Sequence, residues 1–250
     1  MRYFDFISVF KKEFIASFKL VPIVAGGMVT PLFIYGFFST MMGNGNVLDY
    51  CMPYRHYMVS GTVVFQLVYS TFYQASYSTF FSSNITQTMD ELLTSPLSSR
   101  DILLGRVLCT SMTAVMISIP LLICLIFWSG LSFSLFWYLV ATFGLTILSI
   151  IFSLLGTLLG VLVTNEFSLI NFANIIVIPL TFVSDTFVKL STIPFLKYIV
   201  CGSPIKLTND IVREALVFSR LNWLSGLGLI FFAIISWIIV YKIFDKKLKC

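Results

Sequence analysis

Charge is what this sequence is short of. Of 250 residues, 16 are Lys or Arg and 11 are Asp or Glu, so 11% carry a formal charge while 58% are apolar. A soluble domain carries about 25% charged residues, and so few cannot dress a water-facing surface. A mean hydropathy of +0.96 places the chain in a bilayer. Histidine is nearly missing as well: His56 is the only one, it stands beside Arg55 with no paired carboxylate in sequence, and it reads as an interface residue rather than a catalyst. The cysteines Cys51, Cys109, Cys124, Cys201 and Cys250 lack CxxC spacing and ligand-type neighbours, which removes the usual zinc patterns. No GxxxxGK[ST] occurs, so the chain has no P-loop for ATP.

Asp, Glu, Lys and Arg are absent from 20–48, 56–89, 107–165, 167–184 and 221–241. A helix needs roughly 20 apolar residues to cross about 30 Å of hydrocarbon, so 107–165 is too long for one span and divides at Trp128-Ser129-Gly130 into a hairpin. The expectation is an all-α polytopic membrane protein, a single permease domain over 1–250, with spans at 20–42, 57–80, 107–128, 137–163, 167–187 and 221–243. A net charge of +5 would suggest nucleic acid in a soluble protein. Here the basic residues flank spans and reflect topology, so no nucleic-acid partner is expected. Arg2, Lys11, Lys12 and Lys19 precede the first span, and Lys242, Lys246, Lys247 and Lys249 close the last. By the positive-inside rule both termini lie in the cytoplasm of a multi-pass protein of the cell (inner) membrane. Lys189, Lys197, Lys206, Arg213 and Arg220 then fall outside, where they would sit at lipid headgroup level. Cys51 and Cys201 fall outside too; a pairing between them is open, and free thiols are the plainer reading.

Residues 1–19 read as neither a span nor a cleaved signal. At 100° per residue Tyr3, Phe6, Ile7, Phe10, Phe14 and Phe18 share one arc, opposite Asp5, Ser8, Lys12 and Lys19. This predicts an amphipathic helix in the membrane interface, with a cytosolic helix packed on the protein's own core as the other reading. In the second span Gln66, Ser70, Tyr73 and Tyr77 recur at helical spacing, flanked by Tyr69 and Gln74. Two readings stay open for that face: polar glue between helices, or hydrogen bonds and aromatic surface for a translocating molecule. Gly156-x-x-x-Gly160 permits close helix approach, with packing inside the chain as the default. The fifth span sets Phe167, Asn171, Asn174, Ile178 and Thr181 on one stripe, and Pro179 disturbs its backbone. Asparagines are expensive in lipid, so this stripe meets protein or a polar pathway. Residues 188–220, divided by Pro194 and Pro204, are too apolar for water and too interrupted for a span; an external re-entrant or interfacial hairpin satisfies both facts.

The cytoplasmic loop 83–101 is the most informative stretch. Ser83 or Asn84 can cap a short helix whose apolar face is Ile85, Met89, Leu92 and Leu93, stopped by Ser95-Pro96. Ser98 with Asp101 has the form of a capping box that starts the next helix. Asp90, Glu91, Arg100 and Asp101 are exposed charges that a partner could grip.

With these motifs the sequence resembles the permease subunits of type-2 ABC exporters. The resemblance rests on the six-span plan, on Met89-Asp90-Glu91-Leu92-Leu93-Thr94-Ser95-Pro96-Leu97-Ser98 followed by Ile102-Leu103-Leu104-Gly105-Arg106, and on the late segment from Pro179-Leu180-Thr181-Phe182-Val183-Ser184 through Phe187, Ile193-Pro194 and Ser203-Pro204 to Arg213-Glu214. It implies a homodimer of permeases with two separate ATPase subunits that hold ATP and Mg; this chain itself would bind no cofactor. It implies that Met89, Asp90, Glu91, Leu92, Leu93, Pro96, Arg100 and Asp101 belong to the ATPase-coupling region. It puts the fifth and first spans at the central interface, so that Asn171, Asn174 and Thr181 would line the pathway or the dimer interface; Gln66, Ser70, Tyr73 and Tyr77 of the second span are candidates for that surface by their own spacing. The loop's front half, Ser83 to Thr88, lacks the arginine and glycine expected of the family.

Since the span interiors hold no Asp, Glu, Lys or Arg, ion-coupled transport and intramembrane catalysis are disfavoured. The energy must come from another subunit. The expected activity is ATP-driven export of an amphipathic substrate, a polysaccharide or glycolipid or a hydrophobic drug, among membrane lipid. A membrane scaffold that recruits partners without transport is the rival.

Overall fold

The computed structural model describes residues 21–42, 46–47, 52–86, 98–188, 198 and 200–248. The interfacial helix expected over 1–19, the loop residues Met89, Asp90, Glu91, Leu92, Leu93 and Pro96, and the first part of the expected hairpin lie outside the described residues. Among the described residues the α-helices are α1 (Val21–Met42), α2 (Tyr54–Phe80), α3 (Ser99–Ser129), α4 (Leu135–Leu162), α5 (Glu166–Val183), α6 (Pro204–Phe218) and α7 (Trp223–Leu248). Two short strands, β1 (Asn46–Val47) and β2 (Met52–Pro53), pair antiparallel between α1 and α2. The protein is an all-α, multi-pass membrane protein. By length and composition four helices can cross a bilayer, α3, α4, α5 and α7 over Trp223–Lys246, and α1 adds a shorter apolar stretch, Gly27–Met42.

α2 is not among those four, and its position explains why. It packs against α1, α3, α4, α5 and α6, so most of its 27 residues face protein and need not be apolar. Its Ser and Thr hydroxyls are satisfied locally: Thr62, Thr71 and Thr79 each donate to the carbonyl four residues back, at 2.8, 2.6 and 2.8 Å. The closest approach is to α4. A Cβ on Gly156 would come within 2.6 Å of the Phe72 carbonyl oxygen, and one on Gly160 would collide with the Ser76 carbonyl oxygen. The GxxxG pair therefore packs helices inside the chain, and the main core forms around it from α2, α3, α4 and α6. A second apolar cluster, Ile102, Leu103, Val107, Leu154, Val240 and Phe244, joins α3, α4 and α7 at the end of the bundle nearest residues 87–97.

Local chemistry sets the helix ends. Ser98 caps α3 by accepting the Asp101 amide at 3.3 Å, so the helix starts at Ser99, as the capping pattern predicts, and runs on through the span expected from 107. Gly130, at φ +74°, ends it; Gly130 N–H bonds Phe127 O and Leu131 N–H bonds Ile126 O, a Schellman motif. Asn165 caps α5 by accepting the Phe167 amide at 3.0 Å. The span expected to run to 187 is shorter: α5 stops at Val183, because Asp185 takes φ +53° and the next carbonyls bond to other helices. At 18 residues α5 is about 27 Å long, and irregular chain completes its path. Of the stretch expected as an external hairpin, α6 is described; Pro204 opens its first turn, and it buries Ile205, Thr208, Asn209, Val212 and Arg213. Cys124 and Cys201 are free thiols.

Gly156→Val should force α2 and α4 apart and lower stability by about 1–3 kcal/mol, read as an earlier midpoint when the detergent-solubilised protein is heated. Gly226→Ala, where a Cβ meets nothing within 4 Å, should leave that midpoint unchanged or slightly raised.

Candidate functional site

The half-exposed face of α2 carries a column of rings. Phe65, Tyr69, Tyr73, Tyr77 and Phe81 recur every four residues, and each stacks on the next at centroid distances of 6.2, 6.3, 6.0 and 6.0 Å with interplanar angles of 21°, 4°, 12° and 27°. Sixteen residues of helix make this ladder about 24 Å long, close to the thickness of the hydrocarbon layer. Tyr69 donates to Asn174 Oδ1 of α5 at 3.4 Å, so the α5 stripe borders the ladder. Along that stripe Asn174 is half-buried, whereas Phe167, Asn171 and Ile178 are exposed on the single chain. Thr181 is buried, and its hydroxyl donates to Ile178 O at 2.8 Å.

The polar residues expected on the second span are thus divided. Tyr73 and Tyr77 stand in the ladder. Ser70 is half-buried and returns its hydroxyl to Leu67 O at 3.2 Å. Gln66 is buried beside α1, where a Cβ on Gly27 would lie 3.3 Å from its Nε2, and Gln74 accepts from Thr113 of α3 at 3.0 Å. The packing reading has direct support, since Gln74 bonds α3 and Gln66 lies against α1, while the aromatic rings occupy the half-exposed side of the helix. His56 donates Nε2–H to Ser129 O at 3.2 Å and joins the start of α2 to the end of α3.

Arg213 was expected at headgroup level with the other outer basic residues, and the structure overturns this: it is 1% exposed. Its Nε donates to Ser60 Oγ at 2.8 Å, and Nη2 donates to Asp185 O at 2.8 Å and Thr186 O at 3.3 Å. Its guanidinium lies 3.7 Å from the Tyr57 ring centroid, and Asp210 is 4.0 Å from Nη1. Tyr57 donates to Asp185 O at 2.6 Å and Tyr54 to Phe187 O at 3.0 Å. Asn209 donates to Thr186 Oγ1 at 3.2 Å. The non-helical backbone after α5 is therefore held from two sides, by hydroxyls of α2 and by side chains of α6. Gly61 makes room for it, since a Cβ there would collide with the Thr186 carbonyl. Nothing in the sequence pattern announced this clamp beyond Tyr54-x-x-Tyr57-x-x-Ser60-Gly61, polar or small residues at the spacing of one helix face. Of the other basic residues expected with it that are described, Lys206 pairs with Asp210 at 3.8 Å and Arg220 is exposed.

At the opposite end Arg100 Nε donates to the Tyr241 hydroxyl at 3.0 Å, and Asp101 accepts from Ser98 Oγ at 2.5 Å. Arg106, 2% exposed, is the second buried guanidinium.

The ring ladder on the half-exposed side of α2 and the buried clamp on the backbone after α5 are thus the two constructions that set this membrane protein's interior apart from plain apolar packing. The sequence model of the ABC-2 type transporter family matches residues 5–217, and the chain belongs to that family. Its members are the membrane part of the transporter and work with a partner ATPase. No curated protein matches the chain.

Arg213→Met should leave buried carbonyls without their donor and cost about 3–5 kcal/mol, seen as loss of folded protein in the membrane or a sharply lower unfolding midpoint. Arg213→Lys should recover little, because one ammonium cannot reach Ser60 and the carbonyls of Asp185 and Thr186 with a planar fork.

Proposed function

We propose that this chain is the permease of an ATP-driven exporter. Two copies, each with six spans and cytoplasmic termini in the cell (inner) membrane, enclose a pathway for an amphipathic substrate, a polysaccharide or glycolipid or a hydrophobic drug. The observation that carries this reading is the ladder from Phe65 to Phe81 with Asn174 at its side. Rings offer apolar surface to a sugar's C–H face or a lipid tail, and phenol hydroxyls exchange hydrogen bonds with whatever passes. On one chain this face is half-exposed; a second copy would close it off from lipid, with Asn171, Asn174 and Thr181 at or near the seam. ATP and Mg belong to the partner. Met89, Asp90, Glu91, Leu92, Leu93 and Pro96, with Arg100 and Asp101 at the loop's end, form the region that docks on it. Membership of the family supports the division of labour between membrane and ATPase subunits.

A P-loop ATPase encoded beside this chain should co-purify with it, and Glu91→Arg should weaken that complex about tenfold or more. Normal assembly and transport in Glu91→Arg would remove the coupling assignment, and failure of any ATPase to bind would favour a scaffold. Tyr73→Ala with Tyr77→Ala should slow ATP-dependent movement of lipid-linked glycan or of a hydrophobic dye in proteoliposomes while leaving the ATPase bound.

A further inference from the structure

The chain is held differently on the two sides of residues 87–97. On the α2 side the helix relaxes into one π-helical turn, Phe81–Ile85, closed by the Thr86 amide donating back to Phe81 O at 3.0 Å and the Thr86 hydroxyl donating to the same oxygen at 3.3 Å. Phe81, Asn84, Ile85 and Thr86 are exposed and Ser82 is buried; Ser82 Oγ donates to Thr79 O at 2.9 Å, Asn84 Nδ2 to Phe80 O at 3.3 Å, and Phe81 stacks on Tyr77, so these bonds hold the turn within its own helix. A turn on i→i+5 bonds with most of its side chains exposed belongs to the low-stability end of a structure.

The α3 side is stiff. Ser98 accepts the Asp101 amide and donates to its carboxylate, so the first turn is closed on itself. Within that turn Arg100 is fastened to the other end of the chain. Its Nε donates to the Tyr241 hydroxyl at 3.0 Å, and its Cζ lies 5.0 Å from the centroid of the same ring. Tyr241 stacks on Trp237 at 6.4 Å and 6°. Both rings rest on the cluster of Ile102, Leu103 and Val107 with Leu154, Val240 and Phe244, so the start of α3 and the last turns of α7 form one packed body.

We propose that Arg100 and Tyr241 are a latch that makes α7 the first receiver of any displacement arriving through 87–97, while the π-turn absorbs it on the α2 side. Within the docking region Arg100 is then a positioning residue turned toward α7. This rests on the reading that the loop docks an ATPase, and it adds the route by which the stroke enters the bundle.

The test uses the permease–ATPase complex in nanodiscs, with amide hydrogen exchange followed with and without Mg-ATP plus vanadate. In the wild type, exchange over α3's first turns and over Trp237–Leu248 should both change. In Arg100→Ala and Tyr241→Leu the α3 change should persist and the α7 change should shrink about two- to fivefold, the weight of an exposed cation–π contact. Tyr241→Phe, which keeps the ring and loses the hydroxyl, should fall between. Ser83→Gly with Asn84→Gly, which slackens a turn already slack, should leave the α7 response as in the wild type. An α7 response that survives Arg100→Ala, or that is lost equally in the glycine pair, overturns the latch. If the wild-type chain binds no ATPase, the permease function falls and the latch with it. If the complex forms and α3 responds without α7, the latch alone fails.

Discussion

Arg213 meets main-chain carbonyls inside the bundle, and the end of the molecule where α2 begins is organised around that contact. Unpaired carbonyls buried away from water cost several kcal/mol each, so chain can leave a helix there only where donors wait for it. Tyr54, Tyr57, Ser60 and Asn209 supply or extend that shell of donors. α5 can then be short, because the backbone beyond Val183 is satisfied without being helical. Placement of α6 depends on the same contact, since its buried face carries both Asn209 and Arg213. α1 joins this end through rings: Tyr35 meets Trp128 edge-on at 5.5 Å, and Phe38 stacks on Phe187 at 6.3 Å.

The clamp and the Gly156–Gly160 contact divide the protein mechanically. α2, α4, α6 and the segment after Val183 are tied by backbone-close packing and buried donors, which do not deform gradually. α5 touches this block chiefly along Leu169, Ala173, Val177 and Thr181 and leaves its other faces open. The ladder belongs to this block through α2, whereas α5 beside it is packed into the block along one face.

Periodicity and charge gaps were enough to place helices, because burial in lipid writes itself into long runs of sequence. Helix ends were legible where a single residue decides them: Ser98 at the start of α3, Gly130 at its end. The end of α5 was not. Asp185 looks like an ordinary charged residue closing an apolar run, and its left-handed backbone is imposed by partners from α2 and α6 far away in sequence. Arg213 misled for the same reason: a lone arginine in an outer segment ordinarily snorkels, and nothing local tells that Tyr57 and Ser60 await it. On α2, helical spacing puts Tyr73 and Tyr77 on one surface with Gln66 and Ser70. Spacing alone could not tell which of them look toward α1 and which stand in the open column.

The polarity of α2 bears on how the protein reaches its membrane. A helix rich in Ser, Thr, Tyr and Gln gains little by leaving the translocation channel for lipid alone. Its favourable neighbours are the α1 and α3 surfaces that Gln66 and Gln74 address and the glycine groove of α4, which is made later. Integration of α2 is thus linked to the synthesis of later helices, and the nascent chain has to retain α2 until α3 and α4 arrive to shelter it.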